Sequence, residues 1–356
     1  MNRIIQITMF ISVFFIIFLI INSFIFYTIG NLINLSSNSI YFLIFVFSIS
    51  YPAASILERT VSHLLTRAFY TFSSAWMGIT IYFVLIIIIY KIFSLIFYIP
   101  PYTAGIVIIA LALIISAYAI LNSIPVEIRK IEINIPTLKK NMDIVQLSDM
   151  HIGSVRNSGF MSKIVKKTNG LKPDIVLVTG DTVDGSAKIH PGMFNEIEEI
   201  KAPVFLIMGN HEFYEGLDNV LKVLNTLDIT ILRDEMVEIQ DIQIIGVEYS
   251  YNKNHLKNTL SKLKIDKLKP SILMYHVPSE LEAANQAGID LQISGHTHKG
   301  QLFPFNLFSR LVFPYFNGLY NYNNTKLYVS QGTGTWGPPM RLGSKNEITL
   351  IKLKNK

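Results

Sequence analysis

The first 125 residues carry five charged side chains, Arg3, Glu58, Arg59, Arg67 and Lys91, whereas the remaining 231 carry 51 of the chain's 56. A segment so poor in charge cannot clothe itself in polar surface, and lipid is the solvent that suits it. Its near-unbroken apolar runs at 4–29, 40–57, 69–97 and 105–123 each read as one membrane-spanning helix. The first run is too long for the apolar core of a signal peptide. No small-residue cleavage site closes it and further runs follow, so a retained helix is expected. The second run is the shortest and contains Pro52.

The segments 30–39 and 98–104 hold no Lys or Arg, whereas Arg3, Arg59, Arg67, Arg129 and Lys130 all fall on the other side of the expected spans. The positive-inside rule then puts the N-terminus and the domain after the helices in the cytoplasm, in a multi-pass protein of the cell (inner, cytoplasmic) membrane. Lys91 is the one dissenting charge, near the outer end of the third span, where a long side chain can snorkel.

Residues 126–141 read as a connector with an alternating strand at 131–135, and 142–356 as one domain. There, strand patterns (144–148, 174–179, 203–208) alternate with helix patterns (157–169, 191–200, 217–226). Short strands near 229–232, 236–240 and 242–247 follow. A helix near 254–263, strand 271–275, helix 279–287 and strands 290–294, 326–330 and 347–353 complete the pattern. Alternation first and strand pairs later is the signature of a mixed α/β sandwich. The domain's 27 basic and 24 acidic residues leave no footprint for nucleic acid. The chain has no cysteine, which excludes disulfides and thiolate metal sites. Any metal here must use imidazole, carboxylate and amide ligands.

Five apolar strands end in polar residues of one kind: Asp149-Met150-His151; Gly180-Asp181-Thr182-Val183-Asp184; Gly209-Asn210-His211-Glu212; Tyr275-His276; and Gly295-His296-Thr297-His298. Five of the eight histidines lie in these strand ends. Imidazoles and carboxylates gathered at one sheet edge repel or go unsatisfied without a cation between them. Glu212 fits either a group supporting that cation site or a helix cap.

In this order the motifs resemble the complete set of the calcineurin-like metallophosphoesterase superfamily, over about 142–353. Gly300-Gln301 and Gly332-Thr333-Gly334…Arg341-Leu342-Gly343 extend the resemblance to its membrane-associated bacterial branch, which includes transmembrane phosphoesterases and enzymes similar to UDP-diacylglucosamine pyrophosphatase. Lys299 stands where that branch often has Gly. The resemblance implies a four-layer α-β-β-α sandwich and two divalent metal ions (Mn, Fe, Zn, Mg or Ni). It gives one metal to Asp149, His151, Asp181 and His298, and the other to Asp181, Asn210, His276 and His296, with Asp181 shared. His211 would donate to an oxygen of the reacting phosphate and Asp184 would hold His211 in place. A metal-bridged hydroxide would attack the phosphorus.

The expected function is therefore a membrane-integral dinuclear-metal phosphohydrolase acting on a phosphodiester or pyrophosphate, of a lipid or lipid-linked nucleotide sugar. The partners are the bilayer and that substrate, with no obligate protein partner. One alternative is a phosphodiesterase for a soluble nucleotide with the helices as anchor. Another is a non-catalytic membrane scaffold or sensor, in which ligand residues should have been lost. A transporter fits less well, since no charge cluster marks an ion path through the spans. Residues 302–316 hold five Phe, one Tyr and a single charge. They read either as a loop packed on the domain's own core or as a flap touching membrane or an acyl chain.

Overall fold

The computed structural model describes residues 3–355, with side chains of the first helix described from residue 12 onward. The chain divides into two compact units. One runs to Leu121 and takes in Gly337–Met340; the other comprises Asn122–Trp336 and the segment from Arg341 onward.

The first unit is made of α1 (Arg3–Leu32), α2 (Ser37–Thr60), α3 (Leu64–Phe93) and α4 (Pro101–Asn122). All four are long and apolar enough to cross a membrane. Pro52 lies inside α2 and does not end it. Helix α3 begins five residues ahead of the apolar run read at 69–97. Hydropathy cannot see its cap: His63 Nδ1 accepts the Leu65 N–H at 3.1 Å, and Thr66 Oγ1 accepts the His63 N–H at 2.9 Å. Within the unit, Trp76 Nε1 donates to Asn22 Oδ1 at 3.0 Å, and Lys91 lies 5.4 Å from the centre of the Phe24 ring. Glu58, the one acidic residue of the first 125, is fully buried at the α2–α3 turn. It accepts hydrogen bonds from Ser62 Oγ and Thr66 Oγ1, with Arg67 Nε 3.6 Å away. This carboxylate ties a hairpin of helices together, which explains a charge at the end of an apolar span.

The second unit holds two six-stranded sheets. The first has the order β1 (Val126–Asn134), β12 (Asn346–Lys354), β2 (Met142–Leu147), β3 (Ile175–Val178), β4 (Val204–Leu206) and β5 (Thr230–Ile231). The second runs β10 (Gly318–Tyr322), β11 (Thr325–Val329), β9 (Leu291–Ser294), β8 (Ser271–Tyr275), β7 (Ile242–Val247) and β6 (Glu235–Ile239). Alternation along β2 divides its side chains between two cores. Ile144 joins Leu177, Ile207, Ile244, Met274 and Ile293 between the sheets, whereas Val145 and Leu147 face α5 (Ser158–Leu171) and α7 (Leu217–Leu224). On the far face of the second sheet, Ile245, Val247 and Leu273 pack with α8 (His255–Lys262) and α9 (Leu281–Ala287). The result is the four-layer α-β-β-α sandwich that the motif order implied.

Residues 126–134 do not form a loose link. They pair parallel with β12 over nine positions, so the strand starts five residues before the alternation read at 131–135. The helix read at 191–200 is only a 3-10 turn over Asn195–Glu199, since Gly192 adopts a φ of 82°, outside helical backbone. Two further helices, α6 (Asn210–Glu215) and α10 (Phe305–Val312), have no counterpart in the periodicity reading.

Candidate metal centre

Strands β2, β3 and β4 of one sheet, and β8 and β9 of the other, end side by side, and each chain then turns sharply. Open α/β sheets collect ligands at such carboxyl edges. The turns need unusual backbone. Asp149, His151, Asp181, His296 and His298 all have φ between 48° and 71°. Left-handed backbone is rare outside glycine, Asp and His tolerate it better than most residues, and each instance costs about 1–3 kcal/mol. Five together mark strain stored at one place. Gly209 lets two of the turns meet: a Cβ there would overlap the Asp181 carboxylate.

Two groups of donor atoms result. In the first, His151 Nε2 lies 3.0 Å from His298 Nε2, and His298 Nε2 lies 3.4 Å from Asp149 Oδ1. In the second, His276 Nε2 lies 3.1 Å from Asp181 Oδ2, 3.1 Å from Asn210 Oδ1 and 3.2 Å from His296 Nδ1. Asp181 Oδ2 is also 3.9 Å from His151 Nε2, so one carboxylate oxygen faces both groups. All seven residues expected as ligands are thus gathered, and those other than His296 are buried. His211 joins a third combination with His151 and Asp181.

The donor chemistry tests whether a cation fits. His276 Nδ1 donates to the Thr179 carbonyl oxygen at 2.8 Å, which fixes the tautomer and leaves the Nε2 lone pair facing other acceptors. Left to protein groups alone, that convergence of acceptors must recruit a proton. Burial opposes charge on His276, yet the Asp181 carboxylate outweighs it and the pKa is pushed up to about 10. Burial would likewise raise Asp181, but His276, His211 and His151 hold it well below the usual carboxylate range. Burial raises Asp149 to about 6 and lowers His296 to about 4. It takes His151 and His298 well below the ordinary imidazole value, each further lowered by a neighbouring imidazole. His151, His296 and His298 thus stand as neutral donors, while His276 must release its Nε2 proton before that atom could ligate a divalent cation.

Two buried groups hold these residues in place. Glu212 is fully buried and accepts from the N–H groups of Asp181, Thr182, Val183 and Gly209, at 3.1, 2.6, 3.3 and 2.7 Å. It caps α6 and clasps the second motif to the third. Arg341 was legible only as part of a terminal motif with no role attached. Its fully buried guanidinium donates to Asn346 Oδ1 at 2.7 Å, to the His298 carbonyl oxygen at 3.1 Å and to the carbonyl oxygens of Gly332 and Gly334. Burial lowers its pKa to about 9. Arg341→Met leaves these acceptors unpaired, at about 1–3 kcal/mol for each that water does not reach. The thermal unfolding midpoint of the purified chain should fall by several degrees, together with metal retention. An unchanged midpoint would show that Arg341 is not what holds the His298 loop.

His211 stands half-buried in the first turn of α6, its N–H donating to Asp181 Oδ1 at 2.9 Å. The sequence reading has Asp184 hold it in place. In the structure, His211 Nδ1 lies 3.2 Å from the Asp184 main-chain carbonyl oxygen, while the Asp184 carboxylate lies 3.8 Å from His151 Nδ1. The turn after Asp181 points that carbonyl at α6. An aromatic rim flanks His211: the ring centres of Tyr214 and Trp336 lie 5.4 and 6.1 Å away.

Comparison with known proteins agrees with this geometry. The profile of the family described as calcineurin-like phosphoesterase matches residues 142–300. An uncharacterized metallophosphoesterase of Helicobacter pylori is 37% identical over 236 residues, covering 64% of this chain and 64% of that protein. One of Aquifex aeolicus is 34% identical over 258 residues, covering 69% of this chain and 98% of its own length. A Bos taurus protein named transmembrane protein with metallophosphoesterase domain is 32% identical over 269 residues, 68% of this chain and 60% of that one. The chain therefore spans less than two thirds of the length of some of these relatives.

Proposed function

The chain belongs to the calcineurin-like phosphoesterase family, and from that premise we propose that it is a membrane-bound phosphohydrolase using two divalent metal ions. The observation that carries this reading is the position of Asp181 Oδ2, 3.1 Å from His276 Nε2 and 3.9 Å from His151 Nε2, between two groups of metal-ligating atoms. Asp149, His151, Asp181 and His298 would hold one ion, and Asp181, Asn210, His276 and His296 the other. Divalent cations held there supply Lewis acidity toward phosphate oxygens and an acidified water.

The protein's own groups do the rest. Thr179 fixes the His276 tautomer through its carbonyl oxygen. Glu212 locks the Asp181 turn to the Gly209 turn, so the shared carboxylate cannot drift. His211 keeps Nδ1 on the Asp184 carbonyl oxygen, which leaves Nε2 to carry a proton to a phosphate or leaving-group oxygen.

The four spans support a substrate met at the bilayer, a phosphodiester or pyrophosphate of a lipid or lipid-linked nucleotide sugar. The rings of Tyr249 and Tyr251, 5.3 Å apart, together with Tyr214, favour a second reading in which a planar base of a soluble nucleotide stacks beside His211. The bias of Lys and Arg supports a site facing the cytoplasm of the cell membrane. One experiment tests metal dependence and orientation together. In sealed membrane vesicles, a membrane-impermeant aryl phosphodiester should be hydrolysed only with added Mn²⁺ and only in inside-out vesicles. Full activity after exhaustive chelation would remove the metal reading, and activity confined to right-side-out vesicles would invert the topology.

A further inference from the structure

Helix α10 is built the wrong way round for a helix in water. Its polar residues Asn306 and Ser309 turn inward and are half-buried, while Leu307 and Phe308 are more than half exposed and Leu311 is 84% exposed. All eight residues of the helix are exposed or half-buried. Within the segment 302–316, Leu302 is buried in the domain, whereas Leu307, Phe308 and Leu311 of the helix are left exposed. Apolar faces of this kind on a folded domain mark a surface that something else covers.

We infer that α10 lies in the headgroup–acyl interface of the bilayer. Three features select lipid over another protein. The chain already carries four helices long enough to cross a membrane, and only Ser123, Ile124 and Pro125 separate the last of them from β1, so lipid is a partner the domain is never far from. The segment 302–316 has no acidic residue, and its single charge, Arg310, is exposed, which suits phosphate headgroups. Phe305 and Phe308, with Leu307, Leu311 and Val312, are exposed on α10, the aromatic and aliphatic mix of an interfacial helix's apolar face.

The helix is joined firmly to the metal centre. A Cβ on Gly300 would overlap the Asn306 backbone, so α10 seats directly on the turn that follows His298. The Phe313 ring lies 5.4 Å from the His296 ring. A bilayer contact through α10 therefore holds the His296–His298 turn at the membrane surface.

The lack of native cysteine makes the test direct. Phe308→Cys, Leu311→Cys and the exposed control Lys253→Cys are each made in the full chain, labelled with a nitroxide and reconstituted into vesicles of phosphatidylcholine and phosphatidylglycerol. The labels at 308 and 311 should shift toward collision with oxygen and away from a water-soluble nickel chelate, relative to the label at 253. Collision behaviour equal to that at 253 would place α10 in water and overturn the inference. Labels shielded from both reagents would overturn it as well, by showing that protein, such as a second copy of the chain, covers the helix. The readout needs no hydrolysis, so it fails or succeeds apart from the proposed activity.

Discussion

Asp181→Asn should lower kcat by roughly 10³-fold or more and strip bound metal, since a two-metal site stabilises transition-state charge by several kcal/mol. The reason is local. Asp181 Oδ1 accepts the His211 N–H at 2.9 Å, and Oδ2 faces His276 and His151. A carboxylate offers an acceptor on both sides. An amide offers one, and must turn its NH₂ either against the His211 N–H or into the donor atoms that need an anion. Neither orientation preserves the shared ligand. The fold should survive, because the Asp181, Thr182 and Val183 N–H groups remain clasped by Glu212. Far-UV circular dichroism beside the kinetics separates loss of site from loss of fold.

His211→Ala should lower kcat by about 10²–10⁴-fold, the usual contribution of a positioned proton donor, and leave bound metal in place. The ring is half-buried on the first turn of α6, so its removal opens no sealed cavity, and the backbone N–H that holds Asp181 is untouched. Aryl esters with good leaving groups should be least affected, since they need least protonation. A uniform loss across leaving groups would mean that His211 serves something other than the departing oxygen.

Which parts of this protein were legible in the sequence follows from which interactions are local. The four apolar runs predicted four helices because hydropathy is a property of each segment. Their ends were not, because the His63 cap works through side-chain to backbone bonds that hydropathy ignores. Apolar strands ending in Asp and His predicted where the chain would gather its polar groups. Arg341 and Glu212 were opaque in detail because each acts on main-chain groups of loops distant in sequence, Glu212 on 181–183 and Arg341 on His298. Asp184 was expected to hold His211, and its main-chain carbonyl oxygen lies 3.2 Å from His211 Nδ1, a contact that no residue identity can announce. Helix α10 was hidden for a different reason. At eight residues, set between Pro304 and Pro314, it falls short of the window over which helical periodicity is read.

The central claim is that Asp181 is shared between two metals while His211 acts without ligating one. The close grouping of His151, Asp181 and His211 makes the opposite assignment a real competitor. Elemental analysis of bound metal alongside kcat, in the native chain, Asp181→Asn and His211→Ala, decides between them. The account predicts that His211→Ala keeps the native metal content while losing rate, and that Asp181→Asn loses both. If His211→Ala lost metal as completely as Asp181→Asn, then His211 would be a ligand and this division of the site would be wrong.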